Sequence, residues 1–97
     1  MKVSHTYHGK TPDEVQALFK DNADYLLGQY SAYIGAHRWI SPTRLEGSGR
    51  GVKATVSVQG NTITVEGKLP FALKLFGSKI ESVVRGKLER MGERTAG

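Results

Sequence analysis

Three histidines, several serines and scattered carboxylates are the residues of this chain that could carry covalent or metal chemistry; there is no cysteine. His5 and His8 stand three apart on a stretch that alternates like a strand, so their side chains point to opposite faces and cannot share one ion. His37 lies far along the chain. A zinc site needs three or four ligands in tetrahedral range, so no metal site is predicted. No Gly-x-Ser-x-Gly elbow is present; Ser48 sits in Gly47-Ser48-Gly49, which lacks that spacing. The acidic pairs Asp13/Glu14 and Asp21/Asp24 fall at a helix start and on a wet helical face, which explains them structurally. The expectation is a non-enzymatic protein with no catalytic residue and no cofactor.

The sharper lead is apolar. Leu69 to Phe76 reads LPFALKLF, the most apolar stretch of the chain. As core, Phe71, Leu73 and Leu75 would cover one open end of a small sheet. As surface, Phe71, Leu73, Leu75 and Phe76 would be offered outward, with Lys68, Lys74 and Lys79 as a cationic rim. Aromatic and aliphatic side chains beside cations suit a lipid or coated-polymer interface, or an apolar small molecule. These seven residues are the candidate binding site.

The rival comes from charge. Fourteen Lys and Arg against nine Asp and Glu give a net charge of +5. Arg38, Arg44, Arg50, Lys53 and Lys68 could line one sheet face for nucleic acid. That face otherwise carries Thr55, Ser57, Thr62 and Thr64, with no aromatic residue on which a base could stack. A basic nucleic-acid-binding module is therefore the second reading, and a structural or oligomerisation domain the third.

One hairpin must position all of this. From Gly51 to Leu69 apolar residues alternate strictly: Val52, Ala54, Val56 and Val58, then Ile63, Val65 and Leu69, with polar residues between. Gly60-Asn61 tolerates the positive φ of a two-residue primed turn. The register then sets Val58 opposite Ile63, Val56 opposite Val65, Ala54 opposite Gly67 and Val52 opposite Leu69. It also sets Lys53 opposite Lys68. A slip by one residue would turn the apolar set to water, so the register is firmly specified.

The other elements follow from local signals. Residues 2–8 alternate as a strand with Val3, His5 and Tyr7 on one side. Thr11-Pro12-Asp13-Glu14 is a capping box with proline at the first helical position. The helix it opens carries Val15, Leu18, Phe19, Leu26, Tyr30 and Tyr33 at helical spacing, with a stop expected at Gly35, giving about 22 residues and roughly 33 Å. Residues 36–48 read as two short strands broken at Ser41-Pro42-Thr43. The glycines 47, 49 and 51 predict a turn or a flexible, bulged junction. They predict no phosphate cradle, since no helix follows to aim its amides. Ser78-Lys79-Ile80-Glu81 reads as a second capping box, opening a helix with Ile80, Val83, Val84, Leu88 and Met91 on one face and Lys79, Arg85, Lys87, Arg90 and Arg94 off it. Residues 92–97 are expected to be a loose tail. The economical assembly is α+β: an antiparallel sheet of about five strands, in the order β-α-β-β-β-β-α, with both helices on one face.

Ninety-seven residues suit one domain, 1–97. The N-terminus lacks the apolar core of a secretory signal. The longest apolar run, Leu69 to Leu73, falls far below the roughly 20 residues that a spanning helix needs. A soluble, cytoplasmic protein is expected.

The layout resembles a known family, the small bacterial polyhydroxyalkanoic acid system proteins. The resemblance is carried by His8, Trp39, Gly49-Arg50-Gly51-Val52, the alternating hairpin Val56 to Val65, the apolar segment Leu69 to Phe76 and the helix Ile80 to Leu88. It covers about residues 3–91 and is most specific from 49 to 91. The family usually has proline before its N-terminal histidine, where this chain has Tyr7. The layout also looks like a shortened helix-grip domain of the START or Bet v 1 kind. The resemblance implies cells that store polyester granules, and an accessory protein that binds the granule or lipid surface, or an apolar ligand.

Overall fold

The computed structural model describes residues 1–28 and 35–93, and for residues 24–28 the backbone alone. The chain runs β1 (Lys2–Thr6), α1 (Pro12–Gly28), β2 (Ala36–Ser41), β3 (Arg44–Gly49), β4 (Val52–Gln59), β5 (Thr62–Lys68), α2 (Phe71–Lys74) and α3 (Gly77–Glu93). The five strands form one antiparallel sheet in the order β1-β5-β4-β3-β2. Helices α1 and α3 touch each other on one sheet face, α3 against β1 and α1 against β4 and β5. This is the α+β layout that the sequence predicts, with a single extra helical turn, α2.

The β4–β5 register is as expected from Lys53–Lys68 through Val56–Val65 to Val58–Ile63. The pair Val52–Leu69 does not form, because β5 ends at Lys68 and Pro70 then turns the chain away. Of the two central residues of the Gly60-Asn61 turn, only Gly60 takes a positive φ, 59°, which is the II′ pattern. Asn61 instead uses its side chain: its amide donates to the Tyr7 carbonyl at 3.3 Å, and its own carbonyl accepts from the Tyr7 amide at 2.9 Å. These bonds tie the end of β1 to the hairpin tip. Strand β1 therefore stops at Thr6, two residues short of its expected end, and the chain leaves through a turn closed by Lys10 N–H on the Tyr7 carbonyl, 3.2 Å, with Gly9 at φ 87°.

The junction between β3 and β4 is a tight turn and not a flexible one. Gly49 pairs with Val52, and the two residues between, Arg50 and Gly51, both have positive φ, 49° and 80°. That is a I′ turn, whose twist suits a hairpin.

Helix α1 opens on the predicted capping box. Glu14 N–H donates to Thr11 Oγ1 at 3.2 Å, and Thr11 N–H donates to Glu14 Oε1 at 3.0 Å. Val15, Leu18 and Phe19 are buried as their spacing requires. Asn22 and Ala23 join them; the Asn22 amide donates back to the Leu18 carbonyl, 2.9 Å, so the polar group is satisfied within its own helix. The helix is described to Gly28; Tyr30 and Tyr33 lie outside the described residues, as does the side chain of Leu26, and Gly35 itself is not helical.

Helix α3 differs from expectation at both ends. It starts at Gly77, directly after α2, so Ser78 stands inside it and makes no capping box with Glu81. The early amides find carbonyls in the preceding segment instead, Ile80 N–H on Phe76 O at 2.9 Å. At the other end the helix continues to Glu93, so Gly92 and Glu93 are not tail; residues 94–97 lie outside the description. Lys87, expected off the apolar face, is 1 % exposed and buried beside Leu88 and Met91.

Among the described residues one buried cluster lies between sheet and helices. Val3, Tyr7, Val15, Leu18, Phe19, Leu45, Val56, Ile63, Val65, Val84, Leu88 and Met91 are all buried in one cluster. Tyr7 joins β1 to α3 through its phenol, which donates to the Leu88 carbonyl at 2.6 Å. Burial pushes that phenol well above its ordinary pKa. Trp39, on the edge strand β2, lays its ring 5.1 Å from that of Phe19 and stays 43 % exposed. The other sheet face is polar: Ser4 meets Thr64 at 3.0 Å, Thr6 meets Thr62 at 2.8 Å, and Lys2 reaches Glu66 at 4.0 Å.

Candidate functional site

The site begins where β5 ends. Pro70 is extended, φ −62° and ψ 158°, and its carbonyl accepts from Leu73 N–H at 2.9 Å and Lys74 N–H at 3.2 Å. Phe76 N–H then donates to Leu73 O at 3.0 Å. One turn of helix results, too short to be stable alone and held because both of its ends are anchored, to β5 and to α3. Phe71 and Leu75 are four apart on that turn and so share a face. The face is open to water: Phe71 and Leu75 are each 84 % exposed and Phe76 is 55 % exposed. Leu73 alone of the four turns partly inward.

The core reading of this segment is therefore corrected. It does not close an end of the sheet with Phe71, Leu73 and Leu75. The buried cluster is drawn from β1, α1, β3–β5, α3 and Tyr7, and α2 contributes no buried side chain to it.

Beside α2 an open groove of about 540 Å³ is lined by Met1, Gly67, Lys68, Leu69, Lys74, Gly77 and Glu81. Met1 forms one wall because it extends β1 along β5: its amino group donates to Gly67 O at 3.0 Å and Gly67 N–H donates to Met1 O at 2.8 Å. Lys68 and Lys74, both predicted, thus meet at one groove; Lys79 is exposed one turn into α3. Sequence reasoning assigned Arg50 and Lys53 only to the rival nucleic-acid face. The structure places both at the α2 end of the sheet, where Gly51 lies in van der Waals range of Pro70, a Cβ there standing 3.6 Å from the proline Cβ. The signal was available, since the register pairing Lys53 with Lys68 carries the turn Arg50-Gly51 alongside Pro70-Phe71.

The histidines do not converge. His5 is half buried, its ring edge-on to Tyr7 at 4.6 Å and 75°, while His8 and His37 are exposed on separate elements. Among the described residues no three of His, Cys, Asp and Glu stand close enough to hold a metal ion. Among them too, no helix is long and apolar enough to cross a membrane.

Fold and site together define a small two-layer α+β domain that carries an apolar, lysine-flanked projection at one end of its sheet. Residues 3–91 match the family model described as "Putative polyhydroxyalkanoic acid system protein", and the chain belongs to that family. No curated protein and no solved structure matches it.

Proposed function

We propose that this protein is a non-catalytic accessory of polyhydroxyalkanoate metabolism that docks on the polyester granule, in the cytoplasm, through α2. The supporting observation is the exposure of Phe71 and Leu75, 84 % each, next to Phe76 and three lysines, on a turn that stands outside the buried cluster. Three large apolar side chains held in water expose roughly 400 Å² at 150–250 Å² per aromatic side chain, the size of patch that marks an interaction site. The outward-facing apolar side chains favour this surface over an apolar molecule held between sheet and helices. Phe71, Leu75 and Phe76 would enter the apolar surface, with Leu73 bracing them from beneath. Lys68, Lys74 and Lys79 would lay their stems on it and keep their ammonium groups in water.

The test is co-sedimentation with isolated granules. Wild type should pellet, and a Phe71→Ser/Phe76→Ser protein should stay in the supernatant while keeping its melting temperature within a few degrees, because neither ring contributes to the core. Failure of wild type to pellet, or equal pelleting by the folded double variant, would discard the reading.

A further inference from the structure

We propose that the cations at the α2 end of the sheet, centred on Lys53 and Lys68, form a docking face for an anionic phospholipid monolayer. The proposal rests on the surface-docking reading above and names what coats that surface.

Lys53 and Lys68 are directly paired across β4 and β5, and both are exposed. Like charges in that position destabilise a sheet unless a counter-charge relieves them. None is supplied from within: among the described residues neither lysine lies within 4.0 Å of a carboxylate, and Glu66, one pair along the same face, is turned to Lys2. Arg50, Lys74 and Lys79 likewise make no ion pair there. Among the described residues Glu81 is the one acid that lines the groove.

Arg50 adds a second, independent sign. It holds φ 49° at the first central position of a I′ turn, where glycine, asparagine or aspartate sits at less cost. The turn itself gives no reason for a cation in that place.

The mixture of side chains selects the partner. A neutral polyester offers ester carbonyls and alkyl groups but no repeating negative charge to meet five cations. A nucleic acid offers charge, yet an aliphatic Leu75 at 84 % exposure between two phenylalanines is no stacking platform. An anionic lipid layer satisfies both halves, with acyl chains beneath Phe71, Leu75 and Phe76 and phosphates level with Arg50, Lys53, Lys68, Lys74 and Lys79.

Sedimentation with phosphatidylcholine vesicles, with and without phosphatidylglycerol, at physiological salt tests this, alongside lipid-free polyester particles. Wild type should favour the phosphatidylglycerol vesicles. A Lys53→Gln/Lys68→Gln protein should bind them about 25-fold more weakly, at roughly fivefold per lysine near an anionic surface. Its fold should persist, because the substitution removes a repulsion. Equal binding by that variant, or equal binding of wild type to the two vesicle types, overturns the proposal. Wild type that pellets with bare polyester but ignores phosphatidylglycerol overturns this proposal and leaves the surface reading standing; ignoring all three overturns both. Displacement from phosphatidylglycerol vesicles by duplex RNA at the same salt would reassign the cations to nucleic acid and also overturn it.

Discussion

Replacing Tyr7 by phenylalanine removes one oxygen from the seam between β1 and α3. The ring remains to fill its place among the buried side chains, so no cavity opens, and the change isolates the 2.6 Å bond to the Leu88 carbonyl. That carbonyl lies inside α3 and by helix geometry also accepts from the amide four residues on, so it is not orphaned. The cost is then the net worth of one buried hydrogen bond, about 1–1.5 kcal/mol. In a domain this size that lowers the melting temperature by roughly 4–10 °C, against the 3–5 kcal/mol expected when a large aromatic is cut to alanine. Alkaline pH supplies the second half of the test. Burial holds the folded phenol above its ordinary value near 10, so above about pH 10 the folded state keeps a proton that the unfolded chain has lost. Stability from this group is complete below pH 10 and falls as pH rises toward the folded value, by about 1.4 kcal/mol per pH unit. The phenylalanine variant lacks that slope, so its deficit should close about one unit above pH 10. Denaturant unfolding followed by circular dichroism from pH 7 to 11 measures both. No loss at neutral pH, or identical alkaline slopes in the two proteins, would refute the reasoning.

Two glycines of α3 should respond oppositely to alanine. At Gly86 the nearest atoms to the new methyl belong to the Arg90 guanidinium, 3.3 Å away at the far end of a long side chain and not in backbone, so the helix should gain about 0.8–1 kcal/mol from propensity. At Gly92 it meets the buried Tyr7 ring at 3.2 Å, which is pinned by its phenol and cannot move aside, so the same substitution should lower the melting temperature. At the start of α1, Thr11→Ala should cost about 1 kcal/mol of capping at neutral pH. The Thr11 hydrogen bonds hold the Glu14 carboxyl below its usual range, so their contribution is present above that range and lost as pH falls through the lowered value. Alanine keeps the residue-11 N–H that bonds the Glu14 carboxylate, so wild type and variant should lose that part alike and the deficit from the missing hydroxyl should persist in acid melts.

The β3–β5 meander was legible because a period of two and a two-residue turn leave little freedom. The start of α1 was legible because Thr11 and Glu14 can satisfy each other. The pairing of β1 with β5 was not, since alternation tells a strand which way to face but not which edge to join. Lys87 was misplaced because its charge argued for water while its position, between Val84 and Leu88 along the helix, turned it inward; a long stem at such a position can be buried. The α2 residues were identified as a candidate site, but their exposure was open. Apolar composition does not distinguish a side chain that completes a core from one that stands outside it, and only the packing of Val3, Phe19, Ile63, Leu88 and Met91 decides it.

The sheet order also fixes a sequence of events. Ser4 and Thr64 are neighbours 60 residues apart, so β1 cannot take its place in the sheet until β5 has been made. Until the β4–β5 hairpin has emerged, β1 has nothing to pair with, and until α3 follows, the Tyr7 phenol has no acceptor. Strand β1 must therefore wait unpaired while everything between it and β5 is made.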